Sequence, residues 1–266
     1  MPFVAIFFLR GMVFAKKFSI LQVMAAAKAD IIAQLQRELL PLQGFKPIPA
    51  SENLDLGLGR MMSAFPNNKF PVGAVHEFCC ATSNDAAASA GFIAGIVSSL
   101  MRSEGVSIWI SSARTIFPPA LKYFGIQPDR IVFVDLQKQQ DVLWVMEEAL
   151  KCEGLAAVVG EISELSFTAS RRLQLAVEQS RVTGFILRVK PRNLNITACV
   201  TRWKITSISS ILPDEMPGLG FPRWNVELLK VRNGKPGTWE IEWKGRRFRN
   251  TSTLTVIHGE QQRKTG

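Results

Sequence analysis

The chain has 266 residues, enough for one full hydrophobic core with a small appendage, and its 47% hydrophobic and 20% charged residues match an ordinary globular domain, excluding collagen-like and wholly disordered classes. Its formal net charge of +10 is unevenly placed: residues 181–266 hold 16 Lys+Arg against 6 Asp+Glu, and residues 1–180 hold 16 of each. Excess positive charge confined to the last third suits contact with nucleic acid or an acidic partner, and equally a solvated basic tail.

Residues 1–24, MPFVAIFFLRGMVFAKKFSILQVM, are apolar but interrupted by Arg10, Lys16 and Lys17. The runs between these charges are shorter than the roughly 20 apolar residues a membrane span needs. No small-residue cleavage site follows a basic start, so the segment does not read as a signal peptide. Met24-Ala-Ala-Ala-Lys28 reads as the natural beginning, with residues 1–23 a non-native or flexible extension or, alternatively, a surface amphipathic helix. Ile31, Ile32, Leu35, Leu39 and Leu40 recur at helical spacing over Lys28–Leu40, and Pro41 ends that helix. Residues 41–72, rich in Pro, Gly, Asn and Ser, form a long connection with one short helical piece around Leu54–Met62.

From Pro71 the pattern becomes strand, turn and helix. A strand is expected over Ala74–Cys80, a small-residue turn over Ala81–Asn84, and a helix from near Asp85 to Met101, stopped by Gly105. Val106–Ile110 is a near-continuous apolar run, as in a parallel strand covered on both faces. A helix over Phe117–Phe124, a strand over Ile131–Val134, a helix over Gln139–Cys152 and a strand over Leu155–Val159 follow. Next come a helix capped by Ser166 or Thr168 and running to about Arg181, and a strand over Gly184–Val189. Beyond Pro191 strands follow without long helices: Ile196–Ser207, Asn225–Val231 and Thr238–Trp243, with Asn233-Gly234 as a hairpin turn. The predicted fold is therefore α/β, a mostly parallel sheet with helices on both faces extended by C-terminal antiparallel strands. The predicted divisions are 24–72 (N-terminal helix and wrapping segment), 73–250 (core and β meander) and 251–266 (a disordered polar tail).

A strand, tight turn and helix of this kind often cradle phosphate on backbone N–H groups. The phosphate-binding loop of the Walker A type needs G-x-x-x-x-G-K-[ST]. Here the window reads Cys80-Ala-Thr-Ser83-Asn-Asp85-Ala86-Ala87. Both glycines, the lysine and the magnesium-binding hydroxyl are replaced, and Asp85 puts negative charge where phosphate would sit. The four cysteines (Cys79, Cys80, Cys152, Cys199) lack C-x-x-C spacing and read as buried thiols in a reducing cytosol. His76 and His258 lie far apart, so no metal site is supported.

The order of elements over roughly residues 50–245 resembles the ATPase core of the RecA recombinase family. The resemblance rests on "LDLGLG…FPVGAVHEF" before the Walker A position, "IWISSARTIFPPALKYFGI" for the second strand and helix, and "LAAVVGEIS" for the Walker B strand. "GFILRVK" is similar to the next core strand, and "TACVTRWKITSIS" with "WNVELLKVRNG…TWEIEW" to the closing antiparallel strands. Within that superfamily the chain resembles the ImuA family, the RecA-like accessory proteins of bacterial damage-induced SOS mutagenesis, which commonly lose the Walker A motif. The lysine and hydroxyl positions fall on Ala86 and Ala87, the water-activating glutamate position near Ala113, and the Walker B acid position on Glu161. A degenerate site of this kind (Cys80, Ser83, Asp85, Ala86, Ala87, Glu161) implies no nucleotide cofactor, no metal and no enzyme activity. Glu161 could still hold magnesium, but a buried or cap-forming carboxylate is the preferred reading.

The resemblance further implies action with an ImuB-like homologue of the Y-family polymerases and a C-family error-prone polymerase in translesion synthesis, with RecA and single-stranded DNA as further partners, in the cytoplasm and away from membranes. In RecA-like cores the loop after the strand ending at Val189 faces single-stranded DNA, and here Arg188, Lys190 and Arg192 make it basic. Arg202-Trp203-Lys204 and Lys244, Arg246, Arg247 and Arg249 interleave cations with aromatics, which suits either nucleic acid or an acidic protein. Two other readings stay open: a SulA-like inhibitor of cell division, and a divergent RecA-type DNA-dependent ATPase.

Overall fold

A computed structural model describes residues 56–101, 105–112, 116–211 and 220–251. The expectations for residues 1–23, for the Lys28–Leu40 helix, for Ala113 and for the tail beyond Thr251 lie outside the described residues. Strands β1 (Val75–Cys80), β2 (Val106–Ser111), β3 (Ile131–Asp135), β4 (Leu155–Ile162) and β5 (Thr183–Val189) alternate with helices α1 (Ser83–Leu100), α2 (Pro118–Leu121), α3 (Gln139–Leu150) and α4 (Phe167–Ser180). Strands β6 (Thr201–Ile208), β7 (Arg223–Val231), β8 (Gly237–Lys244) and β9 (Arg247–Asn250) follow. All nine join one sheet in the order β3-β2-β4-β5-β1-β6-β7-β8-β9. Every pairing from β3 to β6 is parallel. The pairings from β6 to β9 are antiparallel.

Burial explains the two halves. Strands β1, β2 and β4 are buried at every position, because helices cover both faces there. In β6 and most of β7 buried and half-exposed residues alternate, the mark of a sheet packed on one face only. Helix α1 supplies that packing. Phe92 from its middle meets Phe78 of β1, Trp203 of β6, Trp224 of β7 and Phe248 of β9 with ring centroids 5.0–6.3 Å apart. Gly95, one turn on, lets the rings of Trp243 and Phe248 reach the helix backbone: a Cβ there would sit 2.5 Å from Phe248. The opposite face carries α3 and α4, and Met146 of α3 fills the space above Gly160 of β4.

Several boundaries differ from the sequence reading for local reasons. Helix α1 begins at Ser83, not Asp85, because Thr82 caps it. It ends at Leu100, ahead of Gly105. The piece expected around Leu54–Met62 is a 3-10 helix over Gly59–Ala64. Phe117–Phe124 splits into α2 and a 3-10 turn, Lys122–Phe124, closed by Gly125 at φ 91. Strand β6 starts at Thr201, not Ile196, because the carbonyls of Asn193, Asn195, Thr197, Ala198 and Cys199 are taken up by arginine and lysine side chains. The β7–β8 turn contains Asn233 at φ 56, as its Asn-Gly pair predicts. Strand β9, which pairs with β8, was not anticipated.

Candidate functional site

The turn between β1 and α1 is where a phosphate cradle would lie, and two of its backbone donors are engaged from within the chain. The Thr82 N–H donates to Asp85 Oδ2 at 2.9 Å, and the Asp85 N–H donates to Thr82 Oγ1 at 3.1 Å. This reciprocal capping box satisfies two N–H groups at the helix start and sets a carboxylate at the positive end of the helix dipole. An incoming phosphate would lose those donors and meet a like charge. Ala86 and Ala87 line an adjoining cleft of about 750 Å³ whose other walls include Phe117, Leu187 and Trp224. The cleft is apolar where a nucleotide site needs cations.

The remaining positions of this site are equally engaged. Cys80 is buried, its thiol lies 3.3 Å from the Ser89 hydroxyl, and burial pushes its pKa up to about 11, so it stays a thiol at neutral pH. Glu161, only 4% exposed, accepts hydrogen bonds from the Trp109 indole at 2.6 Å and the Ser111 hydroxyl at 3.1 Å, one on each carboxylate oxygen. Both donors come from β2, the neighbouring strand, so the acid is held in the sheet.

The basic residues named from the sequence divide into two groups. Arg188 and Trp203 are fully buried, which corrects their assignment as direct DNA or partner contacts. Trp203 stacks on Phe78, and its indole donates to Thr201 Oγ1 at 2.7 Å. Arg188 pairs with Glu77 at 2.7 Å, and Arg202 pairs with the other oxygen of Glu77 at 2.9 Å. Thr197 donates to the same carboxylate at 2.8 Å, and Arg188 also reaches Glu164 at 3.5 Å. Arg188 also donates to the carbonyls of Ser163 and Asn193, and Arg202 to the carbonyl of Asn195. Lys204 is paired with Glu227 at 2.9 Å on the open face of β6 and β7. The second group, Lys190, Arg192, Lys244, Arg246, Arg247 and Arg249, is exposed. Lys244 Nζ lies 4.7 Å from the Phe221 ring centroid.

Glu77 was not singled out in the sequence, although a glutamate inside the apolar run VHEFCC signals a buried partner of opposite charge. His76, beside it, faces the other side of β1, stacked between Phe70 and Phe185. Its Nε2 lies 3.0 Å from the Pro71 carbonyl, which can only accept, so Nε2 carries the proton and Nδ1 accepts from Thr201 at 2.7 Å. Burial lowers the pKa of this neutral ring to about 3. Among the described residues no three of His, Cys, Asp and Glu gather as a metal site, and no helix is long and apolar enough to cross a membrane.

A parallel core in this strand order, with the β1–turn–α1 unit beside β5 and an acid near the end of β4, is a RecA-like core whose helix start is closed by its own aspartate. No protein-family model matches the chain. Protein ImuA of Caulobacter vibrioides, in each of two strains, is 33% identical over 201 residues, covering 71% of this chain and 82% of that protein. The chain belongs to the ImuA family.

Proposed function

We propose that this protein is a non-catalytic adaptor in damage-induced, error-prone translesion DNA synthesis. It binds an ImuB-like homologue of the Y-family polymerases, works with a C-family error-prone polymerase, and meets RecA or single-stranded DNA through its exposed cations. The observation that carries the reading is the Thr82–Asp85 capping box, which fills the anion position of a RecA-like core with the protein's own carboxylate. Phosphoryl transfer depends on a lysine and a metal to neutralise developing charge. Ala86 and Ala87 stand at the lysine and hydroxyl positions, and Glu161 is hydrogen-bonded within the sheet. What remains is a rigid scaffold with an exposed basic surface, which suits assembly.

The test is a pull-down with the full chain against an ImuB-like protein, RecA and single-stranded DNA, with melting curves run with and without Mg-ATP. The expected result is capture by the polymerase homologue and a melting temperature indifferent to nucleotide. No capture by any of the three sinks the adaptor reading. A nucleotide-dependent rise that Glu161→Gln abolishes would instead show nucleotide binding and favour a divergent ATPase, because a ligand selective for the folded state raises stability.

A further inference from the structure

A second cleft, rich in cations, lies at the opposite end of α1 from the closed cradle. Its volume is about 620 Å³, and it runs between the last turn of α1 (Ser98, Ser99), the segment Gly125–Arg130 and the β8–β9 turn. Three guanidinium side chains line it, Arg130, Arg246 and Arg247, against one carboxylate, Asp129. None of the three arginine side chains takes part in a hydrogen bond or ion pair among the described residues. Unpaired guanidiniums at the negative end of a helix are favourably placed, which explains why the fold tolerates them, but the helix dipole supplies no hydrogen-bond partner for their forks.

The turn that delivers them is specialised. Gly245 and Arg246 form a two-residue connection between β8 and β9, and both have positive φ, 62 and 58. Such a turn favours Gly, Asn or Asp at both positions, and an arginine in the left-handed region costs about 1 kcal/mol. The stem of Arg246 lies over Gly125, its Cδ 3.6 Å from where a Cβ on that glycine would be. The backbone therefore accepts a local cost that places a cation at the mouth of the cleft, with Arg247 beside it.

We propose that this cleft docks a short acidic segment of a partner protein, its carboxylates held by Arg130, Arg246 and Arg247. The proposal rests on the adaptor reading and names the chemistry of one of its contacts. Carboxylates fit because the guanidinium fork binds them through two parallel hydrogen bonds. Single-stranded DNA fits less well: such binding combines a continuous basic track with rings on which bases stack, and here no aromatic ring lines the cleft. Asp129 also interrupts the positive track at a point where a peptide can place an uncharged residue.

The experiment measures fluorescence anisotropy of a fluorescein-labelled peptide carrying four glutamates, with fluorescein-labelled oligothymidylate in parallel. The full chain is compared with Arg246→Ala/Arg247→Ala, with Arg130→Ala, with Arg246→Lys/Arg247→Lys, and with Lys190→Ala/Arg192→Ala as an equal-charge control. The double alanine variant is expected to weaken peptide binding about ten-fold or more, the lysine variant several-fold, and the control less than two-fold. The Arg246/Arg247 variants keep the parent melting temperature, since both side chains are exposed. Equal weakening by the control would reduce the effect to bulk charge and overturn the proposal, as would no peptide binding at all. Oligothymidylate binding that needs Arg246 and Arg247 while peptide binding does not would assign the cleft to nucleic acid. Capture of the ImuB-like protein is followed in the same variants. Capture that survives Arg246→Ala/Arg247→Ala removes the cleft as the docking site and leaves the adaptor reading standing. Peptide binding without ImuB capture does the reverse.

Discussion

The end of β5 with the loop after it, and the β8–β9 turn with its flanks, are written in similar residues, Arg188-Val-Lys190-Pro-Arg192 in one and Lys244-Gly-Arg246-Arg247 in the other. Their arginines meet opposite fates. At the first, Arg188 turns into the molecule, because Glu77 lies two strand positions away on the adjoining β1 and a buried carboxylate requires a partner. The guanidinium then holds the carbonyls of Ser163 and Asn193, so an irregular stretch becomes a fixed wall. At the second, Arg246 and Arg247 form no ion pair among the described residues and stay in solvent beside an open cleft. A run of basic residues therefore says little by itself about which cations are offered outward. The acid on the neighbouring strand decides it.

The largest test of that contrast is Arg188→Ala. It strips a fully buried carboxylate of one of its two guanidiniums, and the expected loss is about 3–5 kcal/mol, read as a fall in the urea midpoint. Arg202→Ala costs less, because its side chain is 15% exposed and partly solvated. Arg246→Ala/Arg247→Ala shifts stability by less than about 0.5 kcal/mol. Equal losses at the two sites would erase the distinction between them.

Acid sharpens the contrast from a different direction. His76 has a folded pKa of about 3 against 6.5 in the unfolded chain, so between those values the unfolded state binds the proton and the folded state does not. The stability tied to the neutral ring is complete above pH 6.5, falls as the pH drops below it, and is gone near pH 3. By pH 4.5 the loss is on the order of 2–3 kcal/mol. His76→Gln removes this part of the pH dependence, measured as the difference between urea midpoints at pH 7.5 and 4.5. Arg246→Ala/Arg247→Ala leaves it untouched. Among the described residues the ring meets Phe70, Phe185, Thr201 and the Pro71 carbonyl, none of them charged, so the effect belongs to burial.

The parallel core was legible because its strands are short apolar runs bounded by turn residues and its helices keep a helical period. The antiparallel half was legible in outline through alternation and the Asn233-Gly234 turn. What escaped was set by tertiary pairing. Nothing local marks Arg188 as internal; its direction follows from the register that brings Cys79 opposite it and Glu77 one pleat away. Strand β9 is a four-residue run rich in arginine, and only its pairing with β8 makes it a strand. The capping box is readable, since Thr82-Ser-Asn-Asp85 has the required spacing, but the same four residues also fall in the window of a phosphate loop. The Thr82 cap starts helix α1 two residues ahead of Asp85.

The smallest effect tests the closed cradle itself. Asp85→Ala removes the carboxylate that accepts from the Thr82 N–H and leaves the start of α1 half capped, at a cost of about 1 kcal/mol. Asp85→Asn keeps an acceptor and loses only the charge, so its cost is a few tenths of a kcal/mol. Neither substitution is expected to make the melting temperature respond to Mg-ATP. The helix start would regain its attraction for an anion, but Ala86 still supplies no cation and the adjoining cleft is still walled by Phe117, Leu187 and Trp224. Carboxylate and missing lysine thus act as independent barriers, and removing one leaves the other. A nucleotide-dependent rise in Asp85→Ala would break that argument, because it would mean that the capping aspartate alone keeps phosphate out of a cradle that is otherwise intact.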